Sequence, residues 1–244
     1  MAPKNDVIMN HKGKFEYLKF DNRREGYKKA IEGIKSMNFT QDEIIEDFPR
    51  FSGHMSIGRY LTLYELYKKT EGIAGHIAEV GTYKGSSLLW FTKLVQIYES
   101  ESLTQVHGFD WFQGTGDDDV ELKIEKGSYK SSYEELQDLI KVQNLQNNCF
   151  AHKLNVVTEL EKFFDENPHL YFKVVFLDAG FYNVVKKSIE VLWPRLNPGG
   201  ILIFDQFGHE LSPGEAMAVK EMLPGEKIQT IPNSWMPNAY IIKK

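Results

Sequence analysis

The sequence predicts one α/β domain: a doubly wound, mostly parallel, Rossmann-like sheet of seven strands, closed by an antiparallel C-terminal hairpin strand and preceded by helices. Three observations carry that expectation. From His76 onward, short apolar runs alternate with stretches of helical periodicity, and such alternation calls for a parallel sheet covered on both faces. The run Lys173–Leu177 is rich in β-branched and aromatic residues, as a strand buried on both sides requires. Gly81 and Gly85 directly follow the first run, where a strand must turn tightly into a helix.

The elements follow in order. Residues 1–70 are read as an arm and helices of the same domain, a cap or dimer contact, and residues 71–244 as the α/β body. Met1 to Asn22 is charged and weakly patterned. Tyr27, Ala30, Ile31, Ile34 and Met37 recur at helical spacing, and a second helix is expected after Ser56 through Tyr60, Leu63, Leu66 and Tyr67. Strands are expected at His76–Val80, Gln105–Phe109, Cys149–Leu154, Lys173–Leu177 and Ile201–Phe204, with two closing strands near Ile228–Ile231 and Ala239–Ile242. The intervening helices are Ser86–Glu99, Tyr133–Gln143, Val156–Phe164, Val184–Leu196 and Glu215–Leu223. The fourth of these is expected to stop at the turn Asn197-Pro198-Gly199-Gly200. Gln113–Lys130, rich in Gly, Asp, Lys and Ser, reads as a lid or an exposed loop.

Composition narrows the function. The chain has 244 residues and a net charge of −5 without a basic block, so nucleic acid is not the expected partner. Its single cysteine, Cys149, excludes an internal disulfide and a cysteine metal cluster, and its apolar neighbours suggest a buried, inert thiol. No stretch reaches the roughly 20 apolar residues a membrane span needs, and the polar start lacks a signal-peptide core. A cytoplasmic homodimer acting on a small molecule or saccharide is the expectation.

Three constellations carry chemistry. The first is Glu79-Val80-Gly81-Thr82-Tyr83-Lys84-Gly85-Ser86, a strand end, a glycine turn and a helix start. Gly81 admits a ligand close to the backbone, the turn and helix amides suit a ligand carboxylate, and Glu79 suits an amino group. The spacing Gly81-x-x-x-Gly85 departs from the dinucleotide fingerprint and argues against a nicotinamide cofactor. The second is Phe109-Asp110-Trp111, where an acid at a strand end is placed for ribose hydroxyls beyond the carboxyl ends of the strands. The third pairs Asp178-Ala179-Gly180 with Asp205-Gln206-Phe207-Gly208-His209 on strands expected to be neighbours. Two carboxylates with a histidine suit a divalent cation or general-base chemistry.

In these residues the chain resembles the macrocin O-methyltransferase-like family of class I S-adenosylmethionine-dependent sugar O-methyltransferases. The likeness runs from about Arg50 to the C-terminus. It rests on Gly58-Arg59-Tyr60-Leu61, the motif from Glu79, Gly108 to Gly114, Leu177-Asp178-Ala179, Tyr182, Leu192-Trp193-Pro194-Arg195-Leu196, Pro198-Gly199-Gly200, Asp205 and Gly208-His209. The resemblance implies S-adenosylmethionine as cofactor, bound by Glu79, Gly81, Tyr83, Gly85, Ser86, Asp110, Trp111 and Asp178. It implies Asp178 as base with His209 as second choice, and Mg²⁺ held by Asp178, Asp205 and Gln206. Two departures weigh against the cation. Gly180 and Gln206 stand where the family usually has aspartates, and Mg²⁺ favours carboxylates.

The implied reaction is in-line attack of a sugar hydroxyl on the sulfonium methyl, with the protein supplying alignment and dryness. Trp111, Phe112, Phe181, Tyr182 and Trp235 are candidate walls for a sugar ring. A catechol or phenol O-methyltransferase and a catalytically weak cofactor-binding partner subunit are the competing readings. Neither the acceptor sugar, its hydroxyl position, nor its attachment to a nucleotide or polymer can be read from these residues.

Overall fold

The computed structural model describes residues 21–116, 126–209, 212–231 and 236–244. The expected arm up to residue 20, the middle of the expected lid and Trp235 lie outside the described residues. In chain order the elements are α1 (Asp21–Lys35), α2 (Gln41–Glu46), α3 (Phe48–Phe51), α4 (His54–Lys68), β1 (His76–Val80), α5 (Ser86–Tyr98), β2 (Val106–Asp110), α6 (Tyr133–Val142), β3 (Cys149–Lys153), α7 (Val156–Glu166), β4 (Phe172–Leu177), α8 (Tyr182–Leu192), β5 (Leu196–Phe204), α9 (Gly214–Met222), β6 (Gln229–Thr230) and β7 (Ala239–Ile242).

Among the described residues the strands form one seven-stranded sheet in the order β3-β2-β1-β4-β5-β7-β6. β1 to β5 run parallel, and β7 lies antiparallel to both β5 and β6. This is the expected architecture. The chain winds outward from β1 to β3, then returns to place β4 on the other side of β1. That reversal opens a crevice at the carboxyl ends of β1 and β4, where doubly wound sheets bind ligands. Register makes the crevice a shared address: Val80 pairs with Phe109 and Leu177, and Leu177 with Phe204. The residues just past these positions are Gly81, Asp110, Asp178 and Asp205.

Two apolar cores cover the two faces. On one, Leu160, Phe164, Val185, Ile189, Leu192, Ala218 and Val219 of α7, α8 and α9 pack on Ala78, Val80, Val175 and Leu177. On the other, Leu63 and Leu66 of α4, Leu88 and Phe91 of α5, and Leu136 and Ile140 of α6 pack on Ile77, Val174 and Phe176. Cys149 is buried and free, and burial pushes its thiol up to about 11.

Three details differ from expectation. α4 begins at His54 rather than after Ser56, and two short helices, α2 and α3, precede it. α8 ends at Leu192, and Asn197-Pro198-Gly199-Gly200 lies within β5 instead of stopping a helix. The β4–β5 register jumps from Phe172↔Leu196 to Val174↔Ile201, so the four residues form a bulge. Gly199 holds φ +82 there, and its N–H donates to the Lys243 carbonyl at 2.7 Å beyond the end of β7.

Candidate active site

Glu79, the fourth residue of β1, is 1% exposed although it is an acid. Its Oε2 has no hydrogen-bond partner, while Ser87 serves the carboxyl from α5. Burial disfavours the charged form and pushes Glu79 up to about 8 against the pull of the Arg59 guanidinium. A buried carboxylate left incomplete in this way is a socket for a cationic ligand group.

The turn after Glu79 is narrow. Gly81 holds φ +88, and a Cβ there would lie 2.4 Å from the Asp178 carbonyl oxygen. Only glycine permits the β1 and β4 ends to close so tightly. Gly85 is the left-handed N-cap of α5 and brings no side chain to the helix start. The first-turn amides of Ser86 and Ser87 thus face the turn without a side-chain cap, the arrangement that suits a ligand carboxylate.

Asp110 braces this turn. Its Oδ2 accepts from the Tyr83 N–H at 2.8 Å, and its Oδ1 from the Phe112 N–H at 2.6 Å. The Tyr83 carbonyl accepts from the Ser131 hydroxyl at 2.7 Å, so Tyr83 is clamped from two sides. Burial raises Asp110 above the usual carboxylate range despite these bonds. The Trp111 and Thr82 amides also serve this carboxylate, so it is held firmly at the strand end where a ribose hydroxyl would meet it. Trp111 follows, half-buried. Phe112, by contrast, is 2% exposed and packs edge-on against Tyr133, so it is core rather than a sugar wall. Tyr182 donates its hydroxyl to Glu221, tying α8 to α9.

Asp178 and Asp205, from the ends of β4 and β5, do converge, and a third residue joins them. Arg59 of α4 donates from Nη1 to Asp205 Oδ1 at 2.5 Å and from Nη2 to Asp178 Oδ2 at 2.6 Å. Its guanidinium carbon lies 5.5 Å from the centre of the Phe176 ring. Burial and the adjacent Asp205 carboxylate raise Asp178 well above the usual range, and Arg59 pulls it partly back. Those two carboxylates hold the Arg59 pKa above its ordinary value, so the guanidinium is permanently charged. Behind them, Glu215 of α9 is fully buried, accepts from the Gln206 N–H at 2.9 Å, and is raised by burial. His209 is 8% exposed, its N–H donating to the Gln206 carbonyl at 3.0 Å.

The expected cation set of Asp178, Asp205 and Gln206 does not fit an ion in this geometry. The space between the two carboxylates holds a guanidinium, and no group of three or more His, Cys, Asp or Glu among the described residues is arranged to hold a metal. Arg59 and Glu215 are the functional residues that motif reading passed over. Arg59 falls on the same helix face as Leu63 and Leu66, at helical spacing, and Glu215 on that of Ala218 and Val219. A charge on a buried face demands a partner, which helical spacing signals without saying what that partner is.

A family model described as a methyltransferase domain matches residues 78–207. No curated protein sequence matches the chain. Among solved structures, the calicheamicin methyltransferase CalS11 superposes with TM-score 0.78 at 20% identity, covering 99% of this chain and 98% of that one. Its apo form, described as a TDP-rhamnose 3′-O-methyltransferase, gives 0.73 at 22% identity, covering 91% and 94%. The O-methyltransferase NovP gives 0.60 at 16% identity, covering 76% and 79%. The fold is therefore that of these enzymes, and the matched span, from β1 through Asp205 at the end of β5, holds Glu79, Gly81, Asp110, Asp178 and Asp205 of the candidate site. The chain belongs to the methyltransferase-domain family.

Proposed function

We propose that this chain transfers a methyl group from S-adenosylmethionine to a hydroxyl of a sugar. The observation that carries the reading is the juxtaposition of an incomplete buried carboxylate, Glu79, with the Asp178 carboxylate at the neighbouring strand end. The residues fit the cofactor. Glu79 would take the amino group, the start of α5 the carboxylate, and Asp110 the ribose hydroxyls, with Tyr83 and Trp111 beside them. Bound there, the cofactor supplies an activated methyl group. Asp178 takes the proton of the attacking hydroxyl, and burial beside the Asp205 carboxylate raises its proton affinity, as a base requires. His209 stands as the alternative base.

The sugar acceptor is supported by the likeness to CalS11 over nearly the whole of both chains. A nucleotide-linked deoxysugar is the acceptor we favour, since CalS11 is described as a TDP-rhamnose 3′-O-methyltransferase. The catechol reading needs a cation to bind vicinal oxygens, and Arg59 fills that place. Residues 21–70 belong to the same domain as the α/β body and cap its crevice: Leu63 and Leu66 of α4 are fully buried, and Arg59 reaches Asp178 and Asp205. Ile45, 74% exposed, and Phe48, 52% exposed, offer this cap an apolar surface for a homodimer. A buried free thiol suits a reducing cytoplasm.

The test is incubation with methyl-labelled S-adenosylmethionine and TDP-rhamnose, with products read by mass spectrometry. A methyl ether on the sugar, reduced about 100-fold or more by Asp178→Asn, is the expected result. Label appearing on a catechol and on no sugar would overturn the acceptor assignment.

A further inference from the structure

We propose that Arg59 is the fixed cation of this active site: its guanidinium takes the place a divalent ion would hold between Asp178 and Asp205, positions Asp178 for the acceptor, and makes methyl transfer independent of added metal. The chemistry rests on the methyl-transfer reading above; the seat of the charge does not.

Geometry is the first support. Two nitrogens of one planar fork reach carboxylates from two different strands, at 2.5 and 2.6 Å. Charge-assisted bonds of that length and spread are the strong ones, and a fork holds direction as well as charge. The residue is also built in. α4 carries it on the face whose Leu63 and Leu66 are fully buried, and the Phe176 ring floors the guanidinium. Asp205, 3% exposed in its side chain, has Arg59 as its ion-pair partner.

The departures at positions 180 and 206 fit this seat of charge, and it is they, rather than Arg59 in its shared stretch, that set this site apart. A site with a resident guanidinium does not need the additional carboxylates that a divalent ion prefers. Gly180 holds φ +68, and a Cβ there would lie 2.6 Å from Ser212 Oγ and 2.9 Å from Gln206 Oε1. The pocket wall has closed over the position where a further acidic side chain would stand.

The step balances without a metal. The acceptor O–H gives its proton to the Asp178 carboxylate, whose Oδ2 is pinned by Arg59. As the O–CH₃ bond forms, the C–S bond breaks and its electron pair stays on sulfur. Arg59 keeps its proton throughout, so it is a positioning residue acting through Asp178.

The first test needs no acceptor. Mn²⁺ is titrated into the S-adenosylmethionine-loaded wild type and into Asp205→Asn, with free ion followed by electron paramagnetic resonance. The expected result is no site tighter than millimolar in either. A tight site in the wild type that disappears in Asp205→Asn overturns the proposal. A failure to methylate TDP-rhamnose would count only against the acceptor assignment. The second test uses turnover. Wild type treated with EDTA should keep its full rate, whereas a rate abolished by EDTA and restored by Mg²⁺ overturns the proposal. Arg59→Ala should lose about 100-fold in kcat with little change in KM for S-adenosylmethionine, and free guanidinium ion should restore part of it. Arg59→Lys, the conservative variant, should retain more activity than Arg59→Ala. An Arg59→Ala enzyme with wild-type kcat would overturn the proposal.

Discussion

Glu79 shows how one residue can define a ligand. Its carboxyl is buried, has one oxygen unbonded, and is pushed up to about 8, so in the free protein it is largely neutral near pH 7. A cationic amino group beside it favours the carboxylate, so cofactor binding should expel a proton. Affinity should tighten as pH rises toward about 8, above which the cofactor's own amino group loses its charge. Titration calorimetry in two buffers of different protonation enthalpy checks this, and equal heats in both would contradict it. Gly81→Ala should abolish cofactor binding, because its Cβ would meet the Asp178 carbonyl at 2.4 Å. The strand-end acids Glu79, Asp110, Asp178 and Asp205 were legible in the sequence, since acids after apolar runs stand out. Arg59 was visible only as part of a motif. Its role depends on a contact spanning well over a hundred residues, which spacing does not encode. Asp110 was read as a ribose ligand, and its bracing of Tyr83 and Phe112 was not foreseen.

At the scale of elements, the strands were legible because their apolar runs report burial on both faces. α2 and α3 were not, for a physical reason: neither has a buried residue. α2 is held by the capping box of Thr40 and Glu43, and α3 starts with Pro49 in its first turn, so neither carries an apolar stripe. The β5 bulge was missed because Pro-Gly-Gly reads as a stop unless the pairing partner is known. β2 and β3 carry a further device. His107 and His152 stack at an interplanar angle of 6° and share a hydrogen bond of 3.0 Å. Burial, with the neighbouring histidines, pushes His107 down to about 3, and burial pushes His152 down to about 4. Below the unfolded value near 6.5 the unfolded chain takes up protons that the folded pair refuses, so their contribution is full above about 6.5 and is lost as pH falls. Unfolding free energies from urea titration should therefore fall more between pH ~7 and ~5 for the wild type than for His107→Phe, the difference reaching about 1 kcal/mol or more. Parallel shifts in both proteins would refute the assignment.

For the whole molecule, winding order decides where chemistry sits. The reversal beside β1 opens the crevice, and the helical cap supplies its cation. Residues 1–70 were expected in the same domain as residues 71–244, and α4 contributes fully buried side chains to the core. A fragment of residues 71–244 should therefore expose the surface under Leu63 and Leu66 and leave Asp178 and Asp205 without Arg59. We expect it to aggregate or to melt without cooperativity, as followed by circular dichroism. A cooperative transition with retained cofactor binding would show the cap to be dispensable. The sequence offered a cap or a dimer contact for the first 70 residues and left both open; what it did not convey was that Arg59 reaches Asp178 and Asp205.

The most direct test of the central claim is calorimetric titration of S-adenosylmethionine into the wild type and Glu79→Gln, a substitution that preserves shape and removes the charge. We predict micromolar binding to the wild type, weakened about 10-fold or more in the variant. No binding to the wild type, or equal affinity in both proteins, would contradict the placement of the cofactor at the end of β1.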